Sequence, residues 1–345
     1  MAESLVIAGE EIPPGSGVDL RIPVAPRTTQ AEVYLPARVI HGRRPGPRLF
    51  VCAAVHGDEI NGVEIIRRLL RRPVLSRLRG TLLAVPIVNI YGFVGHARNL
   101  PDRRDLNRSF PGSPHGSLAS RLAHRFVTEV VEKSTHGIDL HTGAIHRSNL
   151  PQIRACLDDQ TTQSLARAFG APVVLDAQVR DGSLRQEVLE RGIPMLVYEG
   201  GEALRFDELA IRAGVRGVLA VMRTLGMLPA SRTERASREP FVARSSHWVR
   251  APESGILRTA VPLGARVKQG DRLGVVSDPL GDEENEVPAP YSGVVIGRTN
   301  LPLVHAGDAL FHVATFDRPG AASRVASWVA SFQDELSDDE DPGDA

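Results

Sequence analysis

The chain has 345 residues, of which 42% are apolar and 24% charged, and its 41 basic and 41 acidic side chains cancel at neutral pH. This length predicts a large domain together with a smaller one, and the absence of net charge argues against nucleic acid or a membrane surface as a partner. Two cysteines, Cys52 and Cys156, are too few for a disulfide framework and favour a reducing compartment. With no recognisable signal peptide and no apolar stretch of about 18 residues, we expect a cytoplasmic protein.

Strands and helices alternate through the first two thirds of the chain. Short alternating runs between Pro and Gly in residues 1–45 predict a strand-rich lead-in, and residues 46–228 predict one large domain. Continuous apolar runs predict buried strands, and helical periodicity predicts the helices between them. The predicted strands are 49–55, 81–90, 137–141, 172–175 and 195–198, and the predicted helices are one that ends at residue 70 and those at 117–133, 161–169, 183–191 and 207–225. This alternation predicts an α/β fold with a mixed, mostly parallel sheet and helices on both faces.

The composition changes after residue 228. Residues 229–240 are polar and predict a linker, and the short apolar runs between turns in residues 241–316 predict a small all-β domain. Residues 317–331 predict a short helix. Seven of the eleven residues 334–344 are acidic. We expect this end of the chain to be disordered, because repelling charges with few apolar residues do not offset the entropy of ordering.

Two candidate metal ligands follow the first buried strand. His56 and Glu59 stand three residues apart where a strand gives way to a helix, so their side chains can reach one ion. Imidazole nitrogen and carboxylate oxygen are both zinc ligands, and a catalytic zinc site takes three protein ligands and leaves a position for water. The same spacing also occurs at 136–139 and 305–308, so a surface or helix-capping role is the alternative.

Two further predicted strands end in side chains that suit the same site. His141 follows Asp139 and Leu140, and Glu199 ends an apolar run before two glycines. Because ligands bind beyond the carboxyl ends of strands in open α/β sheets, we expect His141 to be the third ligand. A glutamate near a metal-bound water suits a general base, which takes a proton and returns it to the leaving amine. The alternatives are a buried histidine bonded to backbone and a helix-capping glutamate.

A loop in the middle of the large domain contains Asn107 and Arg108 side by side. The planar guanidinium group of an arginine fits a carboxylate, and a neighbouring amide can orient it. A loop of this kind near a metal would hold an acidic end of the substrate. A solvated basic loop is the alternative, because Arg98, Arg103 and Arg104 lie nearby.

Four motifs together resemble one family of hydrolases. They are VHGDE at 55–59, DLNRSFPG at 105–112, DLHTG at 139–143 and YEGG at 198–201. Their order and approximate spacing are similar to those of the succinylglutamate desuccinylase/aspartoacylase family, which belongs to the zinc carboxypeptidase-like hydrolases. The resemblance covers approximately residues 45–315.

The resemblance implies one zinc ion per chain and a role for each polar motif. The zinc ligands would be His56, Glu59 and His141, and Glu199 would be the general base. The fold implied is the mixed sheet of the zinc carboxypeptidases. Zinc is preferred over other divalent ions because of the ligand types.

The resemblance also implies residues that bind the substrate. Asn107 and Arg108 would bind a substrate carboxylate, and an arginine upstream would polarise the scissile carbonyl. The segment before Asn107 is longer than in familiar members of the family, so Arg98, Arg103 and Arg104 are all candidates. We select Arg98.

Two segments bear on specificity and on the C-terminal domain. Residues 147–154 indicate a branch distinct from the known desuccinylases, so the acyl group is left open. Residues 267–271 and 289–295 resemble the barrel-sandwich fold of lipoyl and biotinyl carriers. A carrier needs a lysine at a hairpin tip, and residues 277–290 contain none. We therefore expect a structural or site-covering module.

These observations favour a zinc-dependent amidohydrolase that cleaves a linear, non-peptide amide bond. Its substrate would be a small N-acylated amino acid or a related compound bearing a carboxylate. One alternative is a metallocarboxypeptidase acting on short or glutamate-tailed peptides, and another is a non-catalytic protein that binds a metal or ligand. Self-association into a homo-oligomer is left open.

Overall fold

The computed structural model describes residues 2–26, 32–230, 240–243, 245–316 and 321–338. The strands are β1 (Leu5–Ile7), β2 (Glu10–Ile12), β3 (Ser16–Pro26), β4 (Glu32–His41), β5 (Arg48–Ala53), β6 (Thr81–Val85), β7 (His136–Gly143), β8 (Arg147–Ala155), β9 (Val173–Asp176), β10 (Met195–Glu202), β11 (Phe241–Ala243), β12 (Ser245–Arg250), β13 (Gly255–Thr259), β14 (Arg266–Val267), β15 (Arg272–Ser277), β16 (Glu284–Pro288), β17 (Gly293–Thr299), β18 (Leu303–Val304) and β19 (Ala309–Thr315).

The helices are α1 (Asn61–Leu70), α2 (Ile90–Val94), α3 (Leu118–Phe126), α4 (Gln160–Phe169), α5 (Leu184–Glu190), α6 (Glu208–Thr224) and α7 (Ala321–Asp338). Two short 3₁₀ helices cover Pro73–Arg77 and Leu106–Arg108, and a π-helical turn, Val127–Val131, follows α3. In the described part of the chain, no helix is long and apolar enough to cross a membrane.

A large mixed sheet organises the molecule, with strand order β12-β19-β17-β8-β10-β7-β5-β6-β4-β3 along its main path. The four central strands β10, β7, β5 and β6 are parallel, whereas β8 is antiparallel to β10 and β4 is antiparallel to β6. Helices α1, α4 and α6 pack on one face, and α3 and α5 pack on the other. This arrangement confirms the predicted α/β fold with a mixed sheet and helices on both faces. The prediction that the sheet is mostly parallel is wrong, because the strands on both sides of the parallel centre pair antiparallel.

The first predicted strand, β5, has helices packed on both of its faces. In β5, Leu49 and Val51 face the core under α1 and α6, while Phe50 and Cys52 face the core under α3. Because both faces are covered, both alternating sets of side chains are apolar.

Two predicted elements end at least five residues early in the structure. The predicted strand 81–90 is wrong beyond Val85, because Pro86 has no N–H to donate to a neighbouring strand. The side chain of Asn89 then accepts a hydrogen bond from the N–H of Gly92 and begins α2. The predicted helix 117–133 is α helix only through Phe126, and a π-helical turn continues it.

The C-terminal strands are partly an extension of the large sheet. β17 pairs with β8, and β11 pairs with β9, so hydrogen bonding continues across the predicted domain boundary. Strands β13, β15, β16 and β18 form a separate four-stranded sheet, and residues of both sheets enclose a small core of their own. The predicted all-β character of residues 241–316 is consistent with these strands, and the domain boundaries stay predictions.

Helix α7 differs from the predicted C-terminal segment. The predicted helix 317–331 corresponds to α7, which continues to Asp338. The expectation of disorder is therefore wrong for residues 332–338, and burial of Trp328 and Phe332 against the main core accounts for the difference. Residues 339–345, which include the other acidic side chains of this end, lie outside the described residues, as do most residues of the predicted linker.

His312 is a buried histidine where the C-terminal strands join the large sheet. Its ring stacks on Trp248 with centroids 4.6 Å apart, and its side chain is 4% exposed. Burial, together with the nearby charges of Arg154 and His247, lowers the pKa of His312 to about 3. Since the unfolded pKa is about 6.5, the folded state binds fewer protons between these two values, and stability falls as the pH falls through this window.

We therefore expect His312→Phe, which keeps an aromatic ring beside Trp248, to reduce acid sensitivity. The free energy of unfolding should fall less between pH 8 and pH 5 in the variant than in the wild type, by about 2 kcal/mol. Urea unfolding of both proteins at the two pH values measures this difference. Equal losses in the two proteins would show that His312 takes up no proton on unfolding.

Candidate metal centre and active site

A tight turn after β5 brings the first two candidate ligands to the edge of the sheet. Ala54 has a positive φ of 51°, which turns the chain out of the strand. A Cβ on Gly57 would collide with the backbone of Gly92 and Phe93, so only glycine permits this close approach. His56 precedes this glycine, and Glu59 follows it before α1 begins.

The three predicted metal ligands converge in the structure. One potential ligand atom from each of His56, Glu59 and His141 lies within 4.8 Å of the other two. Nδ1 of His56 lies 2.7 Å from Oε1 of Glu59, and Nδ1 of His141 lies 2.7 Å from Oε2. All three residues are buried. Such a group of buried nitrogen and oxygen ligands suits a divalent metal ion.

Each candidate histidine has a second carboxylate beside its outer nitrogen. Nε2 of His141 lies 2.7 Å from Oδ2 of Asp139, and Nε2 of His56 lies 3.2 Å from Oδ1 of Asp105. These carboxylates turn both Nδ1 atoms towards Glu59, and this pattern is typical of histidines that bind metals. The thiol of Cys52 donates to the other oxygen of Asp139, at 3.4 Å.

The electrostatics of this group follow from burial and mutual pairing. Burial raises the pKa of the Glu59 carboxyl group, but the adjacent His56 and His141 lower this pKa by more than burial raises it. The pKa of Glu59 is therefore below its ordinary value. Burial lowers the pKa of His141, but Asp139 and Glu59 raise it well above its ordinary value. The buried carboxylate therefore requires positive charge around it, from protonated imidazoles or from a metal ion.

Arg98, Arg103 and Arg104 were the candidates for polarising the scissile carbonyl, and of these Arg98 lies beside the three candidate metal ligands. Its Nη1 lies 3.2 Å from Oε1 of Glu59, and its Nη2 lies 3.2 Å from Oδ2 of Asp105. Arg103 and Arg104 are exposed.

The loop with Asn107 and Arg108 lies against the start of α5. Oδ1 of Asn107 accepts a hydrogen bond from the N–H of Leu184 at 2.9 Å. Arg108 is exposed, and its guanidinium group donates to the carbonyl of Asn107. Gly182 packs so closely on the backbone of Arg108 that a Cβ there would lie 2.7 Å from the carbonyl oxygen. The Asn107 side chain and Gly182 thereby hold the loop against the start of α5.

Glu199 lies next to the candidate ligands, but within β10 and not at its end. It is in register with His141 in the parallel pair β10–β7, so the two side chains are neighbours on one face of the sheet. Nδ2 of Asn149 donates to Oε2 of Glu199 at 2.9 Å, and Nε of Arg154 lies 3.4 Å from Oε1.

The sequence reasoning assigned no role to three arginines that lie around Glu199. Arg154, Arg180 and Arg185 come from β8, the β9–α5 loop and α5, and burial and their mutual repulsion lower the pKa of Arg180 and Arg185. Nη1 of Arg185 is buried with no hydrogen-bond partner in the described part of the chain. Because these arginines lie on three different elements, no sequence motif predicts that they come together. For Asp139, a signal existed, because alternate residues of a strand share a face and Asp139 is two residues before His141.

A known family model matches the part of the chain that contains these residues. The succinylglutamate desuccinylase/aspartoacylase catalytic domain matches residues 45–225, more than half of the chain. The chain belongs to this family. The predicted resemblance is therefore confirmed, and residues 45–225 form the desuccinylase/aspartoacylase catalytic region.

Individual relatives of the desuccinylase/aspartoacylase family are similar over most of their length. The N-alpha-acetyl-L-2,4-diaminobutyric acid deacetylase of Halomonas elongata is 28% identical over 312 residues, which cover 86% of this chain and 90% of the relative. The product-bound structure of the ectoine utilization protein EutE (DoeB) from Ruegeria pomeroyi has a TM-score of 0.77 at 26% identity, covering 87% of this chain and 95% of that one. A succinylglutamate desuccinylase/aspartoacylase from Rhodobacter sphaeroides has the same TM-score and identity, covering 87% of this chain and 96% of that one.

The hydrogen bond between Asp139 and His141 generates a prediction. Asp139→Asn removes the carboxylate that orients the outer nitrogen, so we expect divalent-metal affinity to fall about 10- to 100-fold. Titration of metal-free protein with Zn²⁺ in competition with a chelator measures this change. Asp158→Asn, an exposed matched control, should bind like the wild type. Wild-type affinity in the Asp139 variant would contradict this role.

Proposed function

We propose that the chain is a zinc-dependent deacylase, which hydrolyses the linear amide bond of a small N-acylated amino acid or a related carboxylate-bearing compound. The observation that carries the proposal is the convergence of His56, Glu59 and His141 beside Glu199. The similarity to the Halomonas elongata enzyme, whose name is that of a deacetylase, supports the same type of reaction.

The residues present fit a zinc ion. Two imidazole nitrogens and one carboxylate are the ligand types of catalytic zinc, and the outer nitrogens lie beside the carboxylates of Asp105 and Asp139. A bound zinc ion supplies a water molecule of lowered pKa and polarises the substrate carbonyl.

The remaining chemistry is assigned to protein groups. Glu199 accepts the proton of the attacking water molecule and passes it to the departing amine. The Arg98 guanidinium group lies at the same centre and donates to the carbonyl oxygen, where negative charge develops during attack.

Positive charge around Glu199 favours an anionic substrate. Arg108 and Asn107 are proposed to bind a carboxylate, and the guanidinium groups of Arg154 and Arg180 add to the positive field. The lowered pKa of Arg180 reflects burial and then the neighbouring arginines, and an anion between these groups would relieve their repulsion.

The same reasoning extends to organisation and location. We propose a hydrolase domain, 46–228, and a β module, 241–316, which has a small core of its own. A cytoplasmic location fits two free cysteines, one of them buried.

The first test concerns the general base. Glu199→Gln keeps the size of the side chain but accepts no proton, so kcat should fall about 10²- to 10⁴-fold while zinc content stays at the wild-type level. Steady-state kinetics and metal analysis on the same preparation measure both quantities. Glu202→Gln, three residues further on the same strand, is the control and should keep its activity. Wild-type turnover by the Glu199 variant would overturn the assignment.

The second test concerns the substrate. Zinc-loaded protein is given N-acetyl and N-succinyl amino acids, their carboxamide derivatives, and peptides extended at the C-terminus, including glutamate-tailed ones. We expect hydrolysis of an N-acyl amino acid with a free carboxylate, and a KM at least about tenfold higher for its carboxamide, since a charge-assisted pair is lost. Preferential cleavage of the peptides would identify a metallocarboxypeptidase, and cleavage of none would favour a non-catalytic binding protein.

A further inference from the structure

The strand that carries Glu199 changes register immediately after it. β10 pairs with β8 through Glu199 and Gln152, and the pairing resumes one residue out of step at Gly201 and Asn149. Gly201 has a φ of 76°, and a Cβ there would collide with the side chain of Asn61, so glycine is required. A bulge of this kind redirects the side chains around it, and here it sets Asn149 beside Glu199.

Both oxygens of the Glu199 carboxylate face side chains of β8. Nδ2 of Asn149 donates to Oε2 at 2.9 Å, and Nε of Arg154 lies 3.4 Å from Oε1. Asn149 is 8% exposed, so its amide is held in a confined space. Because a carboxylate only accepts hydrogen bonds, the amide must present its nitrogen to Glu199.

A glycine of the C-terminal strand β17 makes the space for this amide. Gly297 is in register with Asn149 in the antiparallel pair β17–β8. A Cβ on Gly297 would lie 2.9 Å from Oδ1 of Asn149 and 3.2 Å from Cβ of His312. Both distances are too short for ordinary packing, so a side chain at this position would displace the Asn149 amide.

We propose that Asn149 is a positioning residue for Glu199, and that Gly297 on the C-terminal strand is required for it to act. This inference rests on the proposed function of Glu199 as general base. A base transfers a proton efficiently only when its accepting oxygen is directed at the reacting water molecule, and a short donor from a buried strand fixes that direction. The C-terminal β module would thus support the chemistry from behind the active site.

The first experiment separates hydrogen bonding from space filling. Steady-state kinetics on the N-acyl amino acid that the substrate panel selects compare Asn149→Ala and Asn149→Leu with the wild type. Both variants lack the donor, so kcat should fall about 10- to 100-fold in each, with KM changed by less than about twofold. Leucine has the branched shape of asparagine without a polar group, so wild-type kcat in Asn149→Leu would overturn the proposal.

The second experiment changes Gly297 on β17, the strand that pairs with β8. Gly297→Ala leaves every catalytic side chain intact but displaces the amide of Asn149, so kcat should fall at least about threefold with KM nearly unchanged. Ser148→Ala is the matched control, because it removes a hydrogen bond to Asn300 at the same strand junction without touching Glu199. Its kcat should equal that of the wild type. Equal kcat in Gly297→Ala and Ser148→Ala would show that Gly297 is not required for Asn149 to position Glu199.

Zinc content and the thermal unfolding midpoint are measured for every variant, so that lost metal or lost folding is distinguished from lost positioning. Glu199→Gln is assayed in parallel. If that variant is active, the proposed function fails. If it is inactive while the Asn149 variants keep the wild-type kcat, only the positioning role fails.

Discussion

A carboxylate buried between two imidazole rings is the constraint on which the site depends. Glu59 is 2% exposed, and its two oxygens face the Nδ1 atoms of His56 and His141. A charge removed from water is tolerated only when opposite charges or a metal ion surround it. Both rings must therefore be oriented, and Asp105 and Asp139 do this from outside. Three elements position these side chains. The turn after β5 carries His56 and Glu59, strand β7 carries Asp139 and His141, and the loop before α3 carries Asp105.

The parts of the fold and site that local sequence encodes were predictable. An apolar run as short as β5, followed by a glycine-containing turn, predicts a strand covered on both faces, and a polar residue at its end lies at the edge where parallel strands meet. His56, His141 and Glu199 were proposed in this way and Glu59 by its spacing from His56, and the four-motif resemblance added a role for each of them. The errors were local too, since Pro86 ends β6 early and apolar residues extend α7.

The remaining features depend on strand register and on elements far apart in the chain. Arg154 and Arg180 reach the same region from different elements, and no spacing in the sequence records their proximity. Asn149 lies beside Glu199 where the pairing of β10 and β8 shifts register, and no apolar pattern reveals such a shift. The extension of the large sheet into the C-terminal strands was equally hidden, because strand pairing joins segments separated by about half of the chain.

The metal site is tested most directly by a crystal structure of the zinc-loaded protein with anomalous scattering measured at the zinc edge. We expect one zinc ion per chain, bound by Nδ1 of His56, Nδ1 of His141 and the carboxylate of Glu59, with Glu199 beside it. Zinc bound elsewhere, or no zinc from a solution that contains it in excess, would contradict the central claim.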